Sequence, residues 1–137
     1  MTHPINPAPA PTSNLLPLRL SLVAVWLWTA LVSLIEWNGQ SLQLLHAGGV
    51  TSPALTPALI GGGAALDAAL GIALWRWPRR AVFVTAFAAT LFMTTIATAL
   101  LPALWLHPLG PLSKNLPILA ALWLLWSAEP GKKAVEA

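Results

Sequence analysis

The chain has no cysteine. A disulfide framework, thiol-based redox exchange and thiolate metal sites are therefore excluded, and any redox role needs an external cofactor. Charge is also scarce: 8% of the residues are Asp, Glu, Lys or Arg against 57% hydrophobic, with a mean hydropathy of +0.73. A soluble domain of 137 residues could not cover its own surface from that supply, so lipid must be the solvent. A formal charge of +3 does not signal nucleic acid, because the basic residues are few and stand at the ends of apolar runs rather than on one face. There is also no nucleophile and base constellation, no phosphate-cradling glycine loop, no pair of intrahelical histidines for haem and no internal repeat of the inverted-transporter kind. No self-sufficient catalytic set is legible, and room for a separate catalytic module is lacking.

What the chain does have is four long apolar runs, 16–36, 54–75, 81–101 and 109–128. Each is near the roughly 20 residues that a helix rising about 1.5 Å per residue needs to cross a hydrocarbon core of about 30 Å. They predict an all-α fold, a transmembrane four-helix bundle over 16–128 running up-down-up-down. Residues 1–15 carry Pro4, Pro7, Pro9 and Pro11 and few bulky apolar groups, and read as a disordered cytoplasmic tail. They lack the basic region of a cleaved signal, so the first helix is retained. Residues 129–137 form a second cytoplasmic tail.

Arg19, Arg76, Arg79, Arg80, Lys132 and Lys133 fall on one side of the four runs and only Lys114 on the other. The excess of Lys and Arg in short cytoplasmic segments then places both termini inside, in a multi-pass protein of the cell membrane, here a bacterial inner membrane. Tryptophans mark the same boundaries, with Trp37 and Trp105 at the outer interface and Trp75, Trp77 and Trp126 at the inner one. Trp26 and Trp28, two positions apart, cannot share a helix face, so one packs inside and the other meets lipid. The segment 38–53 suggests a short interfacial helix or re-entrant cap, and the proline-rich segment 102–115 a stiff cap. Pro117 either opens the last helix or kinks its first turns.

Asp67 lies near mid-membrane, where a carboxylate costs several kcal/mol unless paired or protonated, and so must face the interior. Gly63, Asp67 and Gly71 share one helical stripe that lets a neighbouring helix come close. Two readings stand for Asp67, a structural polar anchor and a functional site for a proton, ligand or headgroup. Arg19 enters from the same side, either to pair with Asp67 or to snorkel to lipid phosphate. Thr90, Thr94 and Thr98 make a hydroxyl stripe that reads first as interhelical glue and second as a polar path. At the outer side Glu36, His46, His107, Lys114 and Asn115 could converge on one mouth. Their spacing lacks the geometry of a helical metal site, and Lys114 either snorkels or pairs with Glu36.

The stretch HPLGPLSKNLPILAALWLL, from His107 to Leu125, resembles the C-terminal signature of the DoxX-like membrane proteins. RLSLVAVWLWTALVS from Arg19 is similar to that family's first helix, and LLHAGGVTSPALTPALIGGGAALDAALGIALWRWPRR to its loop, second helix and basic turn. The resemblance covers nearly the whole chain after the tail. It implies a four-helix membrane architecture found alone or fused behind short-chain dehydrogenase-type domains. In some relatives it implies service as a membrane subunit of a redox system, including a thiosulfate:quinone oxidoreductase. By motif it carries over to Arg19, Asp67, Gly71, His107, Lys114, Asn115 and Pro117. The chain departs from the pattern at Ala30 and Leu34, where close relatives show glycine and lysine, and at Asp67, where glutamate is commoner.

The function expected is a non-catalytic membrane component, or accessory subunit, of a quinone-linked redox system. Its partners are the lipid bilayer and a membrane-associated oxidoreductase, and a quinone is the cofactor to look for. The alternative is a small oligomeric transporter or proton-conducting protein that uses Asp67 in a homo-oligomer. A lipid- or quinone-acting enzyme with His107 and Lys114 ranks behind both.

Overall fold

A computed structural model describes residues 14–108 and 110–129. Both expected tails lie outside those residues for almost all of their length. The described chain is helical without strands: α1 (Leu16–Ile35), α2 (Gln40–Ala47), α3 (Leu55–Arg76), α4 (Arg80–Leu100), a 3-10 turn (Pro102–Trp105) and α5 (Asn115–Ala128). α1, α3 and α4, of 20, 22 and 21 residues, are long and apolar enough to cross a membrane. The short helix foreseen in the segment 38–53 is α2. It ends in a Schellman arrangement, with Gly49 at φ 85° and its N–H donating to the His46 carbonyl while Val50 N–H donates to that of Leu45.

The last helix departs from expectation, starting at Asn115 rather than near 109 and running only 14 residues. Hydropathy extends the apolar run back to 109, but the backbone cannot follow. Gly110 adopts φ 53°, the left-handed region that favours glycine, and the next residue is Pro111, which has no N–H to donate. The chain instead makes successive turns, with Lys114 N–H donating to the Gly110 carbonyl and Asn115 N–H to that of Leu112, whose side chain is buried. Pro117 sits in the first turn of α5, where a helix has unused N–H groups and tolerates proline.

α1 packs mainly on α3 and α4 mainly on α5, and the two pairs meet more sparsely. A Cβ on Gly71 would lie 2.8 Å from Leu27 Cδ2, and one on Gly61 3.1 Å from Trp37 Cη2. Stepping ten residues back on α3, from 71 to 61, thus matches ten forward on the first segment, from 27 to 37, so the two run in opposite directions in one register. Phe87 against Trp123 and Arg80 stacked 4.5 Å from the Trp126 ring centre fix an equally antiparallel α4 and α5.

Buried side chains from α1, α3, α4 and α5, among them Trp26, Leu74, Phe83, Ala86 and Leu122, close an apolar core toward the α3–α4 turn. Trp26 is 7% exposed and Trp28 66%, so the first is the packed indole and the second faces outward. Outward apolar residues such as Phe92, Leu34 and Trp123 cover the remaining helix faces, as expected of a protein solvated by lipid tails.

Gly71 is the position where that packing is tightest. Gly71→Leu should destabilise the fold by about 1–3 kcal/mol through overpacking against Leu27, read as a lower unfolding temperature in mild detergent. Gly62→Ala, where a Cβ meets nothing within 4 Å, should leave it unchanged or raised. Equal behaviour of the two variants would contradict the α1–α3 contact.

Candidate functional site

Asp67 lies on the stripe of α3 that carries buried Ile60, Ala64, Gly71 and Leu74, and therefore points inward. Nine residues separate it from Arg76, the end of α3, which puts it about 13 Å from that end. It borders a cavity of about 170 Å³ formed by α1, α3, α4 and the start of α5. Lys114 and Asn115, delivered by the late start of α5, line the same cavity, as do Thr29 and Thr90. Trp26, Leu70 and Ile118 supply apolar wall. The charge that acts on the Asp67 carboxylate is the Lys114 ammonium. No direct ion pair closes between them among the described residues, so the two opposite charges face a shared space.

Asn115 is held in place by α4. Its Nδ2 donates to Thr94 Oγ1 at 2.8 Å, and that hydroxyl in turn donates to the Thr90 carbonyl at 2.7 Å. One turn further on, Thr98 Oγ1 donates to the Thr94 carbonyl at 2.7 Å and accepts from Trp105 Nε1 at 3.0 Å. The threonine stripe is thus spent on its own helix and on clamping α5 and the 3-10 turn to α4, as its glue reading anticipates. Thr90 donates to the Ala86 carbonyl at 2.8 Å, which leaves only its lone pairs for the cavity.

Of the six residues singled out from the sequence, Asp67, Lys114 and Asn115 come together and Thr94 joins them through Asn115. Arg19 and His107 do not. The expected Arg19–Asp67 pair is corrected by the helix register. Arg19 lies eight residues to one side of the Leu27–Gly71 contact and Asp67 four residues to the other, an axial separation of about 18 Å, beyond the joint reach of the two side chains. Arg19 Nε is buried with no hydrogen-bond partner. His107 lines a different cavity, of about 400 Å³, with Gln40 and Gln43. Glu36 accepts from Gln40 N–H at 3.3 Å at the start of α2 and does not meet Lys114, and His46 is exposed in the last turn of α2. The single outer mouth suggested by the sequence is therefore divided. No group of three or more His, Asp or Glu able to hold a metal occurs among the described residues.

Two contributors from α1, Trp26 and Thr29, were not marked for this site by sequence reasoning. Their signal was the small and polar spacing Thr29, Ala30 and Ser33 on the side of α1 that carries Trp26. Leu34 is 53% exposed and does not line the cavity, and the cation that acts on Asp67 comes from position 114.

Because Asn115 and Thr94 bond directly, their losses should not add. Asn115→Ala and Thr94→Val should each lower stability, and the double variant should recover a coupling of about 0.6 kcal/mol, up to roughly 1.7. Arg19→Gln and Asp67→Asn, being far apart, should instead add within about 0.5 kcal/mol. Unfolding in detergent measures both cycles, and strong coupling in the second would contradict the register.

The model of the DoxX-like family matches residues 23–123, which include the whole of α3 and α4 together with Asp67, Lys114 and Asn115. No curated protein and no solved structure matches the chain. The match covers well over half of the chain and all the segments that wall the Asp67 cavity, and the chain belongs to the DoxX-like family.

Proposed function

We propose that this DoxX-like protein is a non-catalytic membrane component of a quinone-linked redox system, with the Asp67 cavity as the place where a quinone headgroup is held. The observation that carries this reading is the composition of that cavity, a carboxylate, an ammonium, an amide and two hydroxyls set among Trp26 and aliphatic groups. A volume of about 170 Å³ suits one substituted six-membered ring, since a cavity of about 150 Å³ accepts benzene. Lys114 and the second Nδ2 hydrogen of Asn115 can donate to ring carbonyl oxygens, and Trp26 can pack on the ring. Asp67 can accept from a ring hydroxyl or, when protonated, donate. A bound quinone would supply two-electron, two-proton carrier chemistry. The chain's own residues bind and orient it and exclude water.

In this reading the protein crosses the membrane four times, up-down-up-down, with α5 and the turns before it making the fourth crossing. Both termini face the cytoplasm, because Arg76, Arg79 and Arg80 cluster at the α3–α4 turn and Arg19 lies at the same end. Irregular backbone at membrane depth is tolerated where it borders a cavity, which suits the turns over 110–114. The membrane is a bacterial inner membrane, and electrons come from a membrane-associated oxidoreductase partner. The second reading, an oligomeric proton or solute conductor through Asp67, has the polar cavity in its favour. Against it stand the threonine hydroxyls, all bonded within the bundle, and the apolar core of Leu74, Phe83 and Leu122 below.

Mass spectrometry of the chain purified from native membranes in mild detergent tests the proposal. The expected result is a bound quinone, or an oxidoreductase subunit in fixed ratio, that is lost with Lys114→Met. A lone oligomer carrying only phospholipid would overturn it in favour of the second reading.

A further inference from the structure

The polar cavity has an apolar neighbour. A second cavity of about 330 Å³ shares Asp67 and Met93 with it and extends along α3 and α4 toward Leu100 and Leu104. Its walls are mostly aliphatic, with Leu59, Ile60 and Ile96 prominent, and Ser33 of α1 and Ser41, Leu44 and Leu45 of α2 complete them. Measured along either helix, from Asp67 to Leu59 or from Met93 to Leu101, the cleft is about 12 Å long, comparable to a decyl chain. It exists because α3 and α4, joined by a tight turn at one end, pack on each other only sparsely, and because α3 presents Gly63 and Ala64 there. A Cβ on Gly63 would meet nothing within 4 Å, so a larger side chain at this position would extend into the cleft. Leu59, Met93 and Ile96 are also exposed on the outside of the bundle, which leaves the cleft open sideways to the hydrocarbon.

Charge narrows the ligand. The polar cavity has one anionic and one cationic group, so it neither gains by taking a net charge nor needs one to be balanced. A head drawn from the bilayer to the depth of Asp67 leaves water entirely, and only an uncharged head does so cheaply.

We infer that the site binds a single-chain amphiphile entering sideways between α3 and α4, its small uncharged hydrogen-bonding head between Asp67 and Lys114 and its linear apolar tail in the cleft lined by Gly63 and Ile96. The inference rests on the reading of the Asp67 cavity as a headgroup site and adds the tail, the route and the charge of the ligand. Isoprenoid quinones share this chemistry with other single-chain neutral lipids such as long-chain alcohols.

The test compares a benzoquinone bearing a decyl chain, the same ring without the chain, and decanol as competitor, on protein in phosphatidylcholine vesicles. The variants are Gly63→Leu, which fills the cleft, and Gly62→Leu, one position along α3, where a Cβ also meets open space but which does not line the cleft. Comparing variants cancels the partition of the chain into the bilayer. Wild type and Gly62→Leu should bind the chain-bearing ring roughly tenfold or more tighter than Gly63→Leu does, while the bare ring binds all three within about twofold. Competition by decanol as strong as by the ring would identify the neutral-alcohol source and leave the tail assignment standing. Equal binding of the chain-bearing ring to Gly63→Leu and wild type would overturn the tail cleft while leaving the headgroup reading intact. Failure of both rings to bind, or binding of the bare ring unaffected by Lys114→Met, would overturn the headgroup reading and this inference with it.

Discussion

A carboxylate halfway along an apolar helix is the constraint to which the rest of this molecule answers. Asp67 would cost about 2.5–3.5 kcal/mol if left facing lipid. The fold lowers that cost by turning the residue inward, on the stripe of α3 that also carries Ala64, Gly71 and Leu74, and by giving it polar company at the same depth. The company comes from α5. Had that helix begun near residue 109, Lys114 would have been a side chain partway along it. As it is, Gly110 and Pro111 break the chain, α5 starts at Asn115, and the preceding turns bring an ammonium to the cavity.

The same late start depends on a second set of interactions. A segment of turns at this depth has to be anchored, and it is anchored by hydroxyls of α4. Thr94 receives Asn115 and Thr98 receives Trp105, each while bonding back to its own helix, so neither threonine hydroxyl keeps a free donor. Small residues do the corresponding work between α1 and α3, where Gly71 admits Leu27 and Gly61 admits Trp37. The bundle is consequently closed by fully buried Leu74, Ala86 and Leu122 toward the α3–α4 turn, with an apolar groove of about 190 Å³ between α4 and α5 there, and hollow and polar beside Asp67. A ligand site of this kind requires that asymmetry, because a uniformly packed bundle would have no room and a uniformly loose one would not hold its polar groups in position.

Much of this was legible beforehand. Hydropathy and length place α1, α3 and α4 to within a residue or two, the polar and apolar mixture of 38–53 marks α2, and the cost of a membrane carboxylate is enough to turn Asp67 inward. The start of α5 was not legible from hydropathy, which does not register that Gly110 takes a left-handed conformation. The partner of Asp67 was not legible either. The sequence points to Arg19 as the cation and leaves Lys114 to snorkel or to pair with Glu36, and it is the sliding register of α1 against α3, set by where Leu27 meets a glycine, that removes Arg19. Register is a property of two helices together, and it is absent from the pattern of either alone. For the same reason Glu36, His46 and His107 looked convergent on one end and prove to be spread over α2 and a separate cavity.

The proposed redox role, the neutral ligand head and the tail cleft all presuppose that Asp67 and Lys114 face the same space with opposite charge. Exchanging the two charges tests that directly, by comparing Asp67→Lys, Lys114→Asp and the double exchange for yield and unfolding temperature in detergent. The account predicts that each single exchange, which places two like charges on one cavity, is severely destabilised and that the double exchange recovers much of the loss. A double exchange no more stable than the sum of the two singles would contradict it.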